Sequence, residues 1–78
     1  MNVEKALIGA TNILKKGGSK SPILDCEIIM SKVLGKDRNY VLLNPGKNLD
    51  KKKFDNFKDL INQRFGGKPI AYLIEKKE

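Results

Sequence analysis

Glycine and proline cut this chain into short pieces, and the pieces limit what it can become. Breaks fall at Gly17-Gly18, Gly35, Asn44-Pro45-Gly46 and Gly66-Gly67. Between them, apolar residues recur in steps of three and four. That is the period of one helical face and not the alternation of a strand. From Asn2 to Lys16 the stripe is Val3, Ala6, Leu7, Ala10, Ile13 and Leu14. Asn2 is placed to cap this segment. Lys15 and Lys16 fall in its last turn, where the helix dipole favours cations.

The second segment opens on Ser21-Pro22, a capping residue followed by the residue favoured at the first helical position. Its apolar set is Leu24, Ile28, Ile29, Met30, Val33 and Leu34, wide enough to be buried on much of its circumference. Asp37 starts a short third segment through Leu43, and Pro45 turns the chain away from helix at Asn44. The fourth runs from Asp50 to Phe65. Asp50 is its cap, and Leu49 with Phe54 fits a hydrophobic staple. Lys51, Lys52 and Lys53 oppose the dipole there. A fifth segment follows Pro69. Ile70–Ile74 fits one to two helical turns or a short strand by length, and the helical context favours helix. The fold class expected is all-α, a compact bundle of four to five short helices. The expected core is Leu7, Ile13, Leu14, Leu24, Ile28, Ile29, Val33, Leu42, Phe57, Leu60, Ile61 and Leu73.

Seventy-eight residues allow one domain of modest stability. The longest apolar run, Ile70–Ile74, is far too short to span a bilayer, and acidic Glu4 with no apolar core segment argues against a signal peptide. The absence of histidine and the single cysteine, Cys26, leave no soft shell for zinc. They also leave no imidazole to activate a thiol. Cys26 lies in a helical apolar pattern and reads as a small core residue in a reducing, cytoplasmic setting.

Catalytic patterns are weak. Asp25 and Glu27 are two apart on a helix and point in different directions. Asp55 and Asp59 share a face, but Lys51, Lys52 and Lys58 beside them indicate a solvated ion-pair surface. The stretch GGSKS, Gly17–Ser21, precedes a helix N-terminus and could hold an anion. It lacks the spacing and the preceding strand of a P-loop, so turn and cap is the simpler reading. No GxGxxG is present, so the residues do not argue for a nucleotide loop. The net charge of +7 raises nucleic acid as a partner. The helix from Asp50 carries Lys51, Lys52, Lys53, Lys58, Asn62, Gln63 and Arg64, but its aromatics lie on the apolar face and not where bases would stack.

Two signatures resemble a known family. The run SPILDCEIIMSKVLGKDR, Ser21–Arg38, is similar to a pattern of Ser-Pro, Asp-Ala-Glu and a leucine-rich helix ending Leu-Gly-Lys-x-Arg. Near the end, Arg64, Gly67, Pro69, Ala71 and Tyr72 match Arg-x-x-Gly-x-Pro-x-Ala-Tyr. Together, in this order, they resemble the N-terminal domain of the peptide chain release factor glutamine methyltransferases, the HemK/PrmC family. The chain departs from that pattern at Glu75, where the family has Gly, at Lys51–Lys53, where it has acidic residues, and at Cys26, where it has Ala.

The resemblance implies a helical substrate-recognition domain over 1–74 and the start of a linker at 75–78. The linker would lead to a methyltransferase domain absent from this chain. It implies a parent enzyme that uses S-adenosylmethionine to methylate the glutamine of the release factor's Gly-Gly-Gln loop. This domain would supply no catalytic, cofactor-binding or metal residues. Its partners would be the release factor and its own C-terminal domain, with the domain a monomer. Arg64, Lys68 and Tyr72 are the candidate contact face. Competing structural roles are an ion pair of Arg64 with Asp25 or Glu27 and core packing of the Tyr72 ring. The other functional class open to the chain is an independent basic helical domain that binds nucleic acid.

Overall fold

The computed structural model of the protein describes residues 1–75. Five helices follow in order: α1, Val3–Lys16; α2, Pro22–Leu34; α3, Arg38–Leu43; α4, Lys51–Phe65; and α5, Ile70–Glu75. The first four end at the glycine and proline breaks, and Ile70–Ile74 is helical. Glu75 closes α5, and the remainder of the linker expected at 75–78 lies outside the described residues.

Three of the caps form as the residue types require. Asn2 Oδ1 accepts from the Lys5 amide at 2.9 Å, Asp37 Oδ1 from Tyr40 at 2.9 Å and Asp50 Oδ1 from Lys53 at 2.8 Å. Ser21 does not behave this way. Its backbone lies at φ −138°, ψ 63°, outside the extended geometry of the other three caps, and its side chain makes no capping bond.

Helix α2 is the central element and packs against α1, α3, α4 and α5, while α1 also meets α4 and α4 meets α5. This explains its broad apolar circumference. Cys26, Ile29, Met30 and Val33 are buried on it and join Leu14, Phe57, Leu60, Ile61 and Leu73 in one core.

Several core expectations are corrected. Ile13, Leu24 and Leu42 are 42%, 40% and 48% exposed. In their neighbourhoods the buried positions go to Ala10, Cys26 and Val41. Ala6 and Ala10 lie on the α1 stripe facing the interior, where a small side chain lets helix backbones approach. The bulkier Ile13 is left at the edge. Helix α3 has only six residues and buries one of them, Val41. Leu7 and Ile28 are half-buried, and Leu7 packs on the rim of the core.

The segment between α3 and α4 returns to the chain start. The Val3 amide donates to the Lys47 carbonyl and the Leu49 amide to the Met1 carbonyl, at 2.9 and 2.8 Å, around an antiparallel bridge between Asn2 and Asn48. This tie satisfies amides at the open end of α1 and seals Val3 and Leu49 into the core. No strand occurs among the described residues beyond this single bridge.

Candidate partner-binding face

Helix α4 ends at Phe65, and the chain turns through Gly66 and Gly67, with Gly67 at φ +104°. That left-handed conformation suits glycine and brings Pro69 to the start of α5. The turn puts Arg64, Lys68 and Tyr72 at one corner of the molecule, next to the first turn of α2.

Arg64 is the anchor of this corner. Its Nε donates to Asp25 Oδ2 at 3.1 Å, and its Nη1 donates to the Lys68 carbonyl at 3.1 Å. Asp25 is buried, at 7% exposure, in the first turn of α2. The Ser19 hydroxyl donates to the same Oδ2 at 2.8 Å, and the Ser21 amide donates back to Ser19 Oγ at 3.3 Å. A buried carboxylate with a charged and a neutral donor is stable where an unpaired one would be costly. Of the two acidic partners the sequence offered Arg64, Asp25 takes it. Glu27 instead accepts from Arg38 Nε at 2.9 Å.

Lys68 and Tyr72 are exposed. The Lys68 ammonium lies 5.1 Å from the Tyr72 ring centroid and 3.3 Å from Gln63 Oε1. A cation held over an aromatic face is partly pre-organised. Tyr72 is 49% exposed, so its ring is not core. Leu73 beside it is the residue that α5 buries.

The weaker candidates resolve into ordinary surface chemistry. In the GGSKS stretch, the Ser19 hydroxyl is committed to Asp25, so a carboxylate of the chain itself already sits against this turn. Asp55 accepts from Lys51 Nζ at 2.7 Å and lies 3.8 Å from Lys58, while Asp59 accepts from Gln63 Nε2 at 2.9 Å. The Lys51 hydrogen bond holds the Asp55 carboxyl below its usual value, and Asp55 in turn raises Lys51. Several polar residues of α4 proposed to face nucleic acid are thus engaged within the chain. No cluster of metal-ligating groups occurs among the described residues, and no helix there is long and apolar enough to cross a membrane. Burial pushes the Cys26 thiol up to about 11, against a smaller opposing effect of its hydrogen bond with Thr11. It is a core thiol, not a nucleophile.

One feature escaped sequence reasoning. A groove of about 200 Å³ lies between α1 and α4, with Gly9, Ile13 and Phe54 in its lining. The available signal was Gly9, a glycine in the interior of a helix.

Fold and corner together define a small all-helical domain, closed by a buried aspartate–arginine link between its second and fourth helices. The chain belongs to the PrmC N-terminal domain family, whose model matches residues 5–74. It is similar to the release factor glutamine methyltransferases of Vibrio cholerae and Clostridium acetobutylicum, at 37% and 33% identity over 78 residues. Each alignment covers all of this chain and 27% of the relative. A bifunctional methyltransferase of Rickettsia conorii is 32% identical over 77 residues, 99% of this chain and 15% of that protein. The chain thus spans about a quarter of the length of the curated release factor methyltransferases it matches. No solved structure matches it.

Proposed function

We propose that this domain binds a peptide chain release factor and positions it for methylation of its Gly-Gly-Gln glutamine by the remainder of a parent enzyme. The observation that carries this reading is the similarity, along the whole of this chain, to proteins named release factor glutamine methyltransferases, of which this chain covers only about a quarter. The domain supplies a binding surface and no catalytic residue. Residues 1–74 form the recognition unit, and 75–78 begin the linker to the methyltransferase domain. The domain acts as a cytoplasmic monomer and contacts its own C-terminal domain through that connection.

S-adenosylmethionine belongs to the parent's other domain. What this chain contributes is orientation. A second contact surface raises the effective concentration of the substrate loop at the transfer site, and the entropy of alignment is met by binding.

Lys68 and Tyr72 form the contact, and Arg64 holds them in place through Asp25 and the Lys68 carbonyl. Calorimetric titration with a release factor and with a generic RNA, each at several salt concentrations, tests the reading. Release-factor binding with a shallow salt dependence, weakened by Lys68→Ala and Tyr72→Ala, is expected. RNA binding that falls steeply with salt, without release-factor binding, would establish the nucleic-acid alternative instead.

A further inference from the structure

We propose that the groove between α1 and α4 seats an apolar side chain from a helical, acidic segment of a separate partner protein. Three observations converge on it. The first is shape and chemistry. Ala6, Ala10, Phe57 and Ile61 belong to the core behind the groove, and Ile13 and Phe54 line its sides. Its volume is about 200 Å³. A cavity of about 150 Å³ is known to accept a benzene ring, so one leucine or phenylalanine side chain fits.

The second is charge. Lys5 and Lys58 stand at the groove, and no carboxylate lines it among the described residues. Lys58 Nζ lies 4.7 Å from the Phe54 ring centroid. Its ion pair with Asp55 is long, at 3.8 Å, and Asp55 is shared with Lys51 at 2.7 Å. An exposed pair of that kind is weak and yields readily to an incoming carboxylate. On a chain of net charge +7, the groove favours an acidic visitor.

The third is Gly9. It lies inside α1, where glycine weakens a helix relative to alanine. A Cβ added there would meet nothing within 4 Å, so no packing contact of the chain calls for glycine. What its hydrogen does permit is close approach of another body to the α1 backbone. Two helices flanking an apolar slot are the usual receptor for an amphipathic helix. Helix α5 packs on α2 and α4 and lines no part of the groove.

The test is an NMR titration of the chain with a synthetic helical peptide bearing leucines at helix-face spacing and glutamates elsewhere. A lysine counterpart and a single-stranded oligonucleotide serve as the other arms. The glutamate peptide should shift the amides of Gly9, Ile13 and Lys58. Gly9→Leu, which fills the slot, should weaken it about tenfold, and Lys5→Glu should weaken it further. Should Gly9→Leu fail to fold, Gly9→Ala decides, with a higher Tm and weaker binding together. Absence of binding, equal binding of the lysine peptide, oligonucleotide binding at these amides, shifts confined to Lys68 and Tyr72, or affinity indifferent to the Gly9 variants would each overturn the proposal.

Discussion

Arg64 Nε and Asp25 Oδ2 lie 3.1 Å apart across 39 positions of sequence, and their bond ties the last turn of α4 to the first turn of α2. It also fixes the route of the chain beyond α4, because the same guanidinium binds the Lys68 carbonyl. One arginine thus connects the closure of the fold with the face assigned to the partner.

Removing the carboxylate should be the more harmful half of that pair. Asp25→Ala leaves a part-buried guanidinium and the Ser19 hydroxyl without their acceptor. A cost of about 2–3 kcal/mol is expected, below the range for fully buried pairs because Arg64 keeps some solvent contact. For a domain of this size, thermal unfolding should fall by about 10 °C or more. Arg64→Lys keeps the charge but loses the fork that spans both acceptors, and should cost about 1 kcal/mol. A double-mutant cycle followed by circular dichroism should show coupling between Asp25 and Arg64, and none between Glu27 and Arg64.

Cys26 should make stability fall in alkali in a defined window. Burial raises the folded-state thiol to about 11, above the ordinary thiol value of 9.0. The folded form therefore holds the proton more tightly than the unfolded chain. This contribution is complete below about pH 9, declines as the unfolded thiol ionises, and is gone once the folded thiol titrates near pH 11. The loss is on the order of 2 kcal/mol. Urea titrations of wild type and Cys26→Ala across that range isolate it from lysine and tyrosine titration, since only the cysteine contribution differs. A thiol reagent at neutral pH should react with Cys26 only on unfolding.

Asp55 should titrate below an ordinary aspartate in the folded chain, chiefly because of the Lys51 hydrogen bond. A depressed folded value means that its contribution is present above the unfolded aspartate value and is lost as pH falls through the folded one. Both side chains are open to solvent, so the effect should shrink with salt. Carboxyl-carbon NMR titration of wild type and Lys51→Ala at low and high salt checks it. Asp55 in the variant should move toward the ordinary value, and high salt should narrow the difference.

Helix boundaries were legible because glycine and proline act locally, and every break in the sequence became the end of an element. Ser21 has the side chain of a cap, but capping also needs an extended backbone, and Ser21 lies at φ −138°, ψ 63°. Bulk alone does not place the core of α1. Ile13 outweighs Ala10 in hydrophobicity, yet the interior side of α1 takes the smaller residue. The tie of residues 45–49 to the chain start leaves no periodic trace, since it consists of backbone bonds between distant segments. At the candidate face, Lys68 and Tyr72 are four apart, so their proximity was readable. The sequence offered Arg64 both Asp25 and Glu27, and only the packing angle of α2 on α4 could decide between them.

Two glycines should respond to alanine in opposite directions. Gly35 ends α2 in the left-handed region, at φ +67°, with its amide on the Lys32 carbonyl. A Cβ would meet no neighbour there, so the penalty is purely that of the backbone, about 1 kcal/mol. Gly9 has the same open surroundings but sits within an α-helix, where alanine gains about 0.5–1 kcal/mol from helix propensity and a less flexible unfolded chain. Chemical denaturation of Gly35→Ala and Gly9→Ala should therefore give midpoints displaced to opposite sides of wild type with unchanged slopes. Equal displacement in one direction would mean that space, not backbone conformation, governs these positions.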